Sequence, residues 1–172
     1  MDISIILPTY NEKDNIVKLV NSIKNLKLNC SHEILIVDDN SPDGTYHVCL
    51  ETFKNEKEIK IILRTNNRGL ALSIREGIDQ SSGNFVIVMD TDFTHEPSLI
   101  QKMISLKSNY DIISGSRYIE GGSMENQVHG KLSYYYNIML KFILKTEIND
   151  NLGGYFLIKK ELLNKLEFDK IF

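Results

Sequence analysis

The chain has little cysteine, no basic excess and no long uninterrupted apolar run. Cys30 and Cys49 show no metal-ligand spacing and suggest no disulfide framework, so the simplest expectation is reduced thiols in a cytoplasmic protein. A net charge of −3 supplies no basic stripe, which argues against a general nucleic-acid binder. Nothing approaches the roughly 18 consecutive apolar residues of a spanning helix. The nearest segment, residues 134–144, is interrupted by Asn137 and Lys141 and reads as a core helix before a membrane-surface one. Met1 and Asp2 lead straight into a strand-like run without a basic stretch, so no secretory leader is expected. The nucleotide loops G-x-x-x-x-G-K-[ST] and G-x-G-x-x-G are both missing, so a bound nucleotide must be held by another geometry. Repeats, low-complexity tracts and linkers are absent too. With 172 residues, 42% of them hydrophobic, the expectation is one domain over 1–172 with a real core.

What is present is most informative at residues 85–92, Phe-Val-Ile-Val-Met-Asp-Thr-Asp. A short, largely β-branched run ends abruptly in two carboxylates one residue apart. The run reads as a fully buried strand of a parallel sheet. Asp90 and Asp92 then fall just past its carboxyl end, where open α/β sheets place ligands. Two close carboxylates repel, so the pair calls for a cation. Mg²⁺ or Mn²⁺ suits such oxygen ligands, and Mg²⁺ commonly joins one or two carboxylates to substrate phosphates. A solvated turn is the ordinary alternative for a lone D-x-D.

Along the chain, strand-like and helix-like segments alternate. Residues 3–7 form a strand ended by Pro8, and Asn11 is placed to cap a helix carrying Ile16, Leu19, Val20, Ile23 and Leu26 at helical spacing. A strand over 33–37 runs into the turn-rich residues 38–44. Then come a helix over about 45–54, a strand over 59–63, a helix over 70–80, the strand over 85–89 and a helix opening at Pro97. A fifth strand over 111–114, a Gly-rich loop over 118–128 and a helix over about 131–145 follow. Repeated β-α-β units predict an α/β fold, a mostly parallel sheet flanked by helices on both faces.

Signals gather at successive strand ends: I-L-P-T-Y-N-E, I-V-D-D-N-S-P-D-G-T, N-R-G-L-A-L-S-I-R-E-G, V-I-V-M-D-T-D-F-T-H-E-P and I-I-S-G-S-R-Y. In this order and across essentially the whole chain they resemble the family 2 glycosyltransferases of GT-A fold. The nearer likeness is to the polyprenyl-phosphate branch, the dolichol-phosphate mannose synthases. The resemblance implies a metal-dependent, inverting transfer of mannose or glucose from a GDP- or UDP-hexose to a polyprenyl (dolichyl-type) phosphate, with peripheral contact at the cytoplasmic membrane face.

By position, the resemblance implies that Pro8, Tyr10, Glu12, Val37 and Asp39 contact the donor's base and ribose. An aromatic ring can pack on a base or ribose and carboxylates can accept its N–H or O–H groups. Val37 and Pro8 are equally readable as strand ends, and Tyr10 as a packing residue. Asp90 and Asp92 would hold the cation against the diphosphate, with Thr91 nearby and Thr94 as a further polar ligand. His95 is expected to cap or pack. Arg117 would bind the acceptor phosphate through its planar fork, a surface ion pair being the alternative. His129, Lys131, Ser133 and Asn137 stand where relatives carry basic residues, a serine and an asparagine, but a second arginine is missing.

Asp150 matches an Asp-containing loop before the family's last core strand. It matters more for a saccharide hydroxyl, which needs a base, than for a phosphate monoester, whose second pKa of about 6 leaves it largely anionic at neutral pH. The family usually continues past this chain's end into a further basic, Gly-containing segment. Three alternatives stand beside a polyprenyl-phosphate transferase. A saccharide acceptor or a non-catalytic nucleotide-sugar-binding module would fit many of the same residues. A haloacid-dehalogenase-type phosphatase would use Asp90-Thr91-Asp92-Phe93-Thr94 as D-x-D-x-T with a nucleophilic first Asp, but leaves the other strand-end loops unexplained.

Overall fold

The computed structural model describes residues 1–116, 153–163 and 165. The described chain runs β1 (Ile3–Thr9), α1 (Ile16–Asn25), β2 (His32–Asp38), α2 (Thr45–Phe53), β3 (Ile59–Leu63), α3 (Leu70–Gln80), β4 (Phe85–Val88), α4 (Leu99–Leu106), β5 (Ile112–Ser114), β6 (Phe156–Lys159) and α5 (Lys160–Leu163). The strands form a six-stranded sheet in the order β3-β2-β1-β4-β6-β5. β1, β2, β3 and β4 pair in parallel; β6 runs antiparallel to both β4 and β5. The expected α/β sandwich is therefore present, with one strand of reversed direction inserted beside β4.

Alternation along β1 divides the core in two. Ile3, Ile5 and Leu7 face α1, α2 and α4, joined by Ile34, Ile36, Ile87 and Met89. Ile6 faces the other way and packs with Leu35, Val37, Val86, Val88 and Ile78 of α3. Both faces being covered explains why these strands read as unbroken apolar runs. Helix α1 shows the complementary 3.6-residue period: Ile16, Leu19, Val20 and Ile23 are all fully buried. Each such burial contributes about 1.5–3 kcal/mol.

Several strand bounds differ from the sequence reading by a residue or two, and three differences have a physical reason. Pro8 does not end β1, which pairs through Thr9 with Asp38. Met89 N–H donates to the Ile6 carbonyl, so Ile6 and, two residues on, Pro8 turn their backbone toward β4. That strand has stopped at Val88, so the missing proline N–H costs no ladder bond. Asn11 is not the helix cap; it takes φ 60° in the preceding turn, and α1 starts after Asn15. Pro97 lies in a turn before α4, which starts at Leu99.

At the far end of the sheet, Glu33 is almost wholly buried. It accepts from Ser4 Oγ at 2.7 Å and from Ser82 N and Oγ at 2.6 Å, and pairs with Lys60 at 2.7 Å. Burial alone would raise its pKa, but the Lys60, Ser82 and Ser4 hydrogen bonds outweigh it and hold the carboxyl down at about 2. This network ties β1, β2, β3 and the α3–β4 turn, leaving the opposite rim for ligands.

Candidate active site

Because β1 to β4 are parallel, the segments leaving them emerge along one rim. The first pair of loops is cross-tied by hydrogen bonds. Asn11 N–H donates to Ser41 Oγ at 2.9 Å, Glu12 N–H to Thr45 Oγ1 at 3.1 Å, and Lys13 N–H to Asp43 Oδ2 at 3.1 Å. Asp43 also receives the N–H and hydroxyl of Thr45, closing the start of α2 after Gly44 at φ 88°. Buried Asp38 accepts from Thr9 Oγ1 and from the N–H and hydroxyl of Ser41. The turn-rich residues 38–45 thus act as a scaffold that shapes the loop after β1.

On that scaffold lies a cleft of about 360 Å³ lined by Tyr10, Asp39, Arg68, Gly69 and Leu70. Tyr10 is 50% exposed, and the Arg68 guanidinium lies 5.5 Å from its ring centroid, within cation–π range. Asp39 is buried, with one oxygen paired to Arg64 Nη1 and the other accepting from Gly69 N–H at 2.6 Å. An aromatic face, a guanidinium and a carboxylate around one apolar-edged cleft can stack a planar base and accept its N–H groups.

One strand over, β4 stops at Val88, and the acidic pair follows after Met89. Val88 pairs with Ile6, so Asp90 and Asp92 leave the sheet beside the loop that carries Tyr10. Thr91 between them is buried, Asp90 is half-buried and Asp92 is exposed. Asp92 Oδ1 accepts both the N–H of Thr94 at 3.0 Å and its hydroxyl at 2.8 Å, bracketing Phe93 at φ 62°. The backbone of Gly154, just before β6, lies against Asp90: a Cβ there would come within 2.5 Å of both carboxylate oxygens. Only glycine leaves Asp90 this place.

Among the described residues, no cluster of three or more His, Cys, Asp or Glu side chains could hold an ion. The donor set is two carboxylates of one turn, Asp90 half-buried and Asp92 exposed. That fits Mg²⁺ or Mn²⁺, which complete their shells with phosphate oxygens and water. It does not fit a closed structural metal centre.

The other expected residues fall into three groups. Pro8 and Val37 are ladder partners, and both are buried; Val37 packs wholly within the α3-side core. Glu12 is half-buried at the start of the β1–α1 loop, its carboxylate accepting from Asn15 Nδ2 at 3.0 Å. His95 is buried with its ring 5.1 Å from that of Tyr155, a packing position. Arg117, His129, Lys131, Ser133, Asn137 and Asp150 lie outside the described residues.

Sequence reasoning did not single out Arg64 or Gly154. Arg64 directly follows a strand, three residues before the N-R-G-L-A-L-S-I-R-E-G motif begins and outside it. Gly154 had a weak signal in the pair Gly153-Gly154 before an apolar run.

Comparison with known proteins bears on the family and the fold. A family model described as Glycosyl transferase family 2 matches residues 4–167. A dolichol-phosphate mannosyltransferase of Pyrococcus furiosus is 36% identical over 99% of this chain and 50% of its own length. The chain thus spans about half of that relative. Among solved structures, glucosyl-3-phosphoglycerate synthase of Mycobacterium tuberculosis with Mn²⁺, UDP-glucose and phosphoglyceric acid superposes with a TM-score of 0.74. It is 16% identical, and the match covers 96% of this chain and 59% of that one. A mannosyltransferase of Pyrobaculum calidifontis with GDP-mannose and Mn²⁺ has a TM-score of 0.67 at 17% identity, over 96% of this chain and 46% of that one. At those identities the two structures speak for the fold.

Proposed function

We propose, on the premise that the chain belongs to glycosyl transferase family 2, that it moves mannose or glucose from a nucleoside-diphosphate sugar to a polyprenyl phosphate, with inversion. Its sheet and flanking helices have the GT-A architecture of its solved neighbours. Family membership sets aside the phosphatase alternative, whose likeness was confined to one turn.

One observation carries the reading: the Asp90–Asp92 turn and the Tyr10–Asp39–Arg68 cleft leave adjacent strands at the same rim. A base in the cleft and a diphosphate at the acidic turn are the two ends of a nucleotide sugar. A divalent cation held by Asp90 and Asp92 would neutralise charge developing on the departing diphosphate. Asp39 and Tyr10 hold and orient the nucleoside, and Thr94 and Gly154 fix the two carboxylates. The incoming lipid phosphate, already largely anionic at neutral pH, needs orientation more than deprotonation. We assign that orientation to Arg117, assisted by Lys131 and Ser133, with Asp150 near the acceptor.

The name of the Pyrococcus furiosus relative supports the acceptor, and the Mn²⁺, UDP-glucose and GDP-mannose of this chain's solved neighbours support the metal and the donor class. A polyprenyl acceptor requires peripheral contact with a membrane, which we place at its cytoplasmic face. Among the described residues, no helix is long and apolar enough to cross one.

The test is a transfer panel of GDP- and UDP-hexoses with and without polyprenyl phosphate, in Mn²⁺, Mg²⁺ or chelator. Metal-dependent transfer to the lipid that disappears in Asp92→Ala is the expected result. Arg117→Ala should chiefly weaken acceptor use. Transfer to a saccharide alone would replace the acceptor, and nucleotide retention without transfer would leave a binding module.

A further inference from the structure

The cleft carboxylate Asp39 is held by a side chain that the donor-binding reading does not use. Arg64 is the first residue after β3, and its backbone N–H donates to the Asp38 carbonyl at 2.8 Å. Its side chain is 9% exposed, that of Asp39 8%. Nη1 pairs with Asp39 Oδ1 and also donates to Ser73 Oγ in the first turn of α3 at 3.0 Å. Nη2 donates to the Asn67 carbonyl at 2.9 Å, and Asn67 adopts φ 49°, a left-handed conformation asparagine tolerates. Gly69 N–H closes on Asp39 Oδ2 from the same loop. The β3–α3 loop therefore grips both oxygens of Asp39 from one side.

A carboxylate has about four lone-pair sites. Arg64 and Gly69 occupy one on each oxygen, leaving a site on each for a ligand. A carboxylate pinned at both oxygens cannot rotate to suit whatever enters. We infer that Arg64 is a positioning residue that locks Asp39 as a rigid acceptor, selecting bases with a ring N–H on their pairing edge, guanine or uracil, over adenine and cytosine. Guanine offers N1–H and N2–H together, and uracil offers N3–H. Adenine N1 and cytosine N3 bring a lone pair instead, which a fixed carboxylate repels. Selection of this kind needs the acceptor to be immobile, because a partner group left unmatched in a buried site is what penalises the wrong ligand. Lysine at position 64 keeps the positive charge but loses the fork that joins Asp39, Ser73 and Asn67 at once.

The inference rests on the nucleotide-sugar reading above, and calorimetric titration separates the two. The full chain, Arg64→Lys and Ser73→Ala are each titrated with GDP, UDP, ADP and CDP in the presence of Mn²⁺, and their melting temperatures are recorded. The native chain is expected to bind GDP or UDP at least about tenfold tighter than ADP and CDP, the scale of one good edge pairing. Arg64→Lys should compress that ratio to within about threefold, and Ser73→Ala, which loosens one arm of the fork, should fall between them. Should Arg64→Lys fail to fold, the Ser73→Ala ratio decides. A preserved ratio in the folded variants, whatever their melting temperatures, makes Arg64 merely structural and overturns the inference. A native chain that does not discriminate overturns it too. Retention of none of the four nucleotides sinks the nucleotide-sugar reading itself, and the role of Arg64 with it.

Discussion

Gly154 and Asp90 are packed so closely that a Cβ on residue 154 would stand 2.5 Å from both Asp90 oxygens. Real Cβ atoms do not approach so near, so Gly154→Ala must turn the Asp90 side chain out of its place. Asp90 follows buried Met89 at the end of β4, and the backbone there is held by a Met89–Ile6 hydrogen bond, so the side chain moves before the strand does. The expected result is Mn²⁺ affinity weakened at least about tenfold, the cost of losing one well-placed charged ligand contact. Mn²⁺ titration followed by electron paramagnetic resonance checks it; equal affinity in the variant would mean that Asp90 does not face the ion.

Tyr155, the residue after Gly154, is fully buried, and among the described residues its hydroxyl has no hydrogen-bond partner. Burial pushes this hydroxyl's pKa well up, so it is no candidate base near neutrality. An unsatisfied buried hydroxyl costs about 1–3 kcal/mol. Tyr155→Phe should therefore be neutral to stabilising, raising the melting temperature by up to about 2–4 °C per kcal/mol gained. A clear drop in melting temperature would show that the hydroxyl has a partner.

How far the chain could be read in advance follows from the range of the interactions involved. β3 and α3 were legible to the residue, because Ile59–Leu63 and Leu70–Gln80 are bounded by local turn chemistry at Asn66, Asn67, Gly69 and Ser81. The acidic pair was legible because a buried apolar run stops abruptly at it. Pro8 misled, because whether a proline may sit inside a strand depends on where the neighbouring strand ends. β6 was anticipated as a last core strand, but its insertion between β4 and β5 depends on pairings such as Ile87 with Leu157, which no local pattern encodes. Arg64 and Gly154 escaped for the same reason: each matters through one distant carboxylate.

Glu33 makes stability depend on acid in a definite window. Its pKa falls from 4.5 to about 2 on folding, so the stabilisation is fully present above about 4.5 and is lost as pH falls toward 2. A shift of this size on a side chain 2% exposed is worth on the order of 3 kcal/mol. Glu33→Gln should destabilise the protein by an amount of that order at pH 7 and by much less near pH 2. Urea denaturation of both proteins across pH 2–7 reads this directly, and parallel stability curves would rule it out.

Thr94 offers the sharpest test of how the acidic turn is organised. Its hydroxyl and N–H both donate to Asp92 Oδ1, so that oxygen is engaged on two sides while Oδ2 has no such partner from this turn. The turn thereby orients an exposed carboxylate that would otherwise sample several rotamers, and fixing it in advance lowers the entropy lost on ion binding. Thr94→Val keeps the β-branched shape and the N–H bond but deletes the hydroxyl. Its Mn²⁺ half-saturation should rise several-fold, on the scale of about 1–2 kcal/mol for one hydrogen bond to a charged group, with the melting temperature little changed. Thr94→Ser, which keeps the hydroxyl, should restore the native value. If valine and serine both weaken binding, the methyl group is needed beside the hydroxyl to position Asp92. If neither substitution shifts Mn²⁺ affinity, Asp92 binds the ion without help from its own turn.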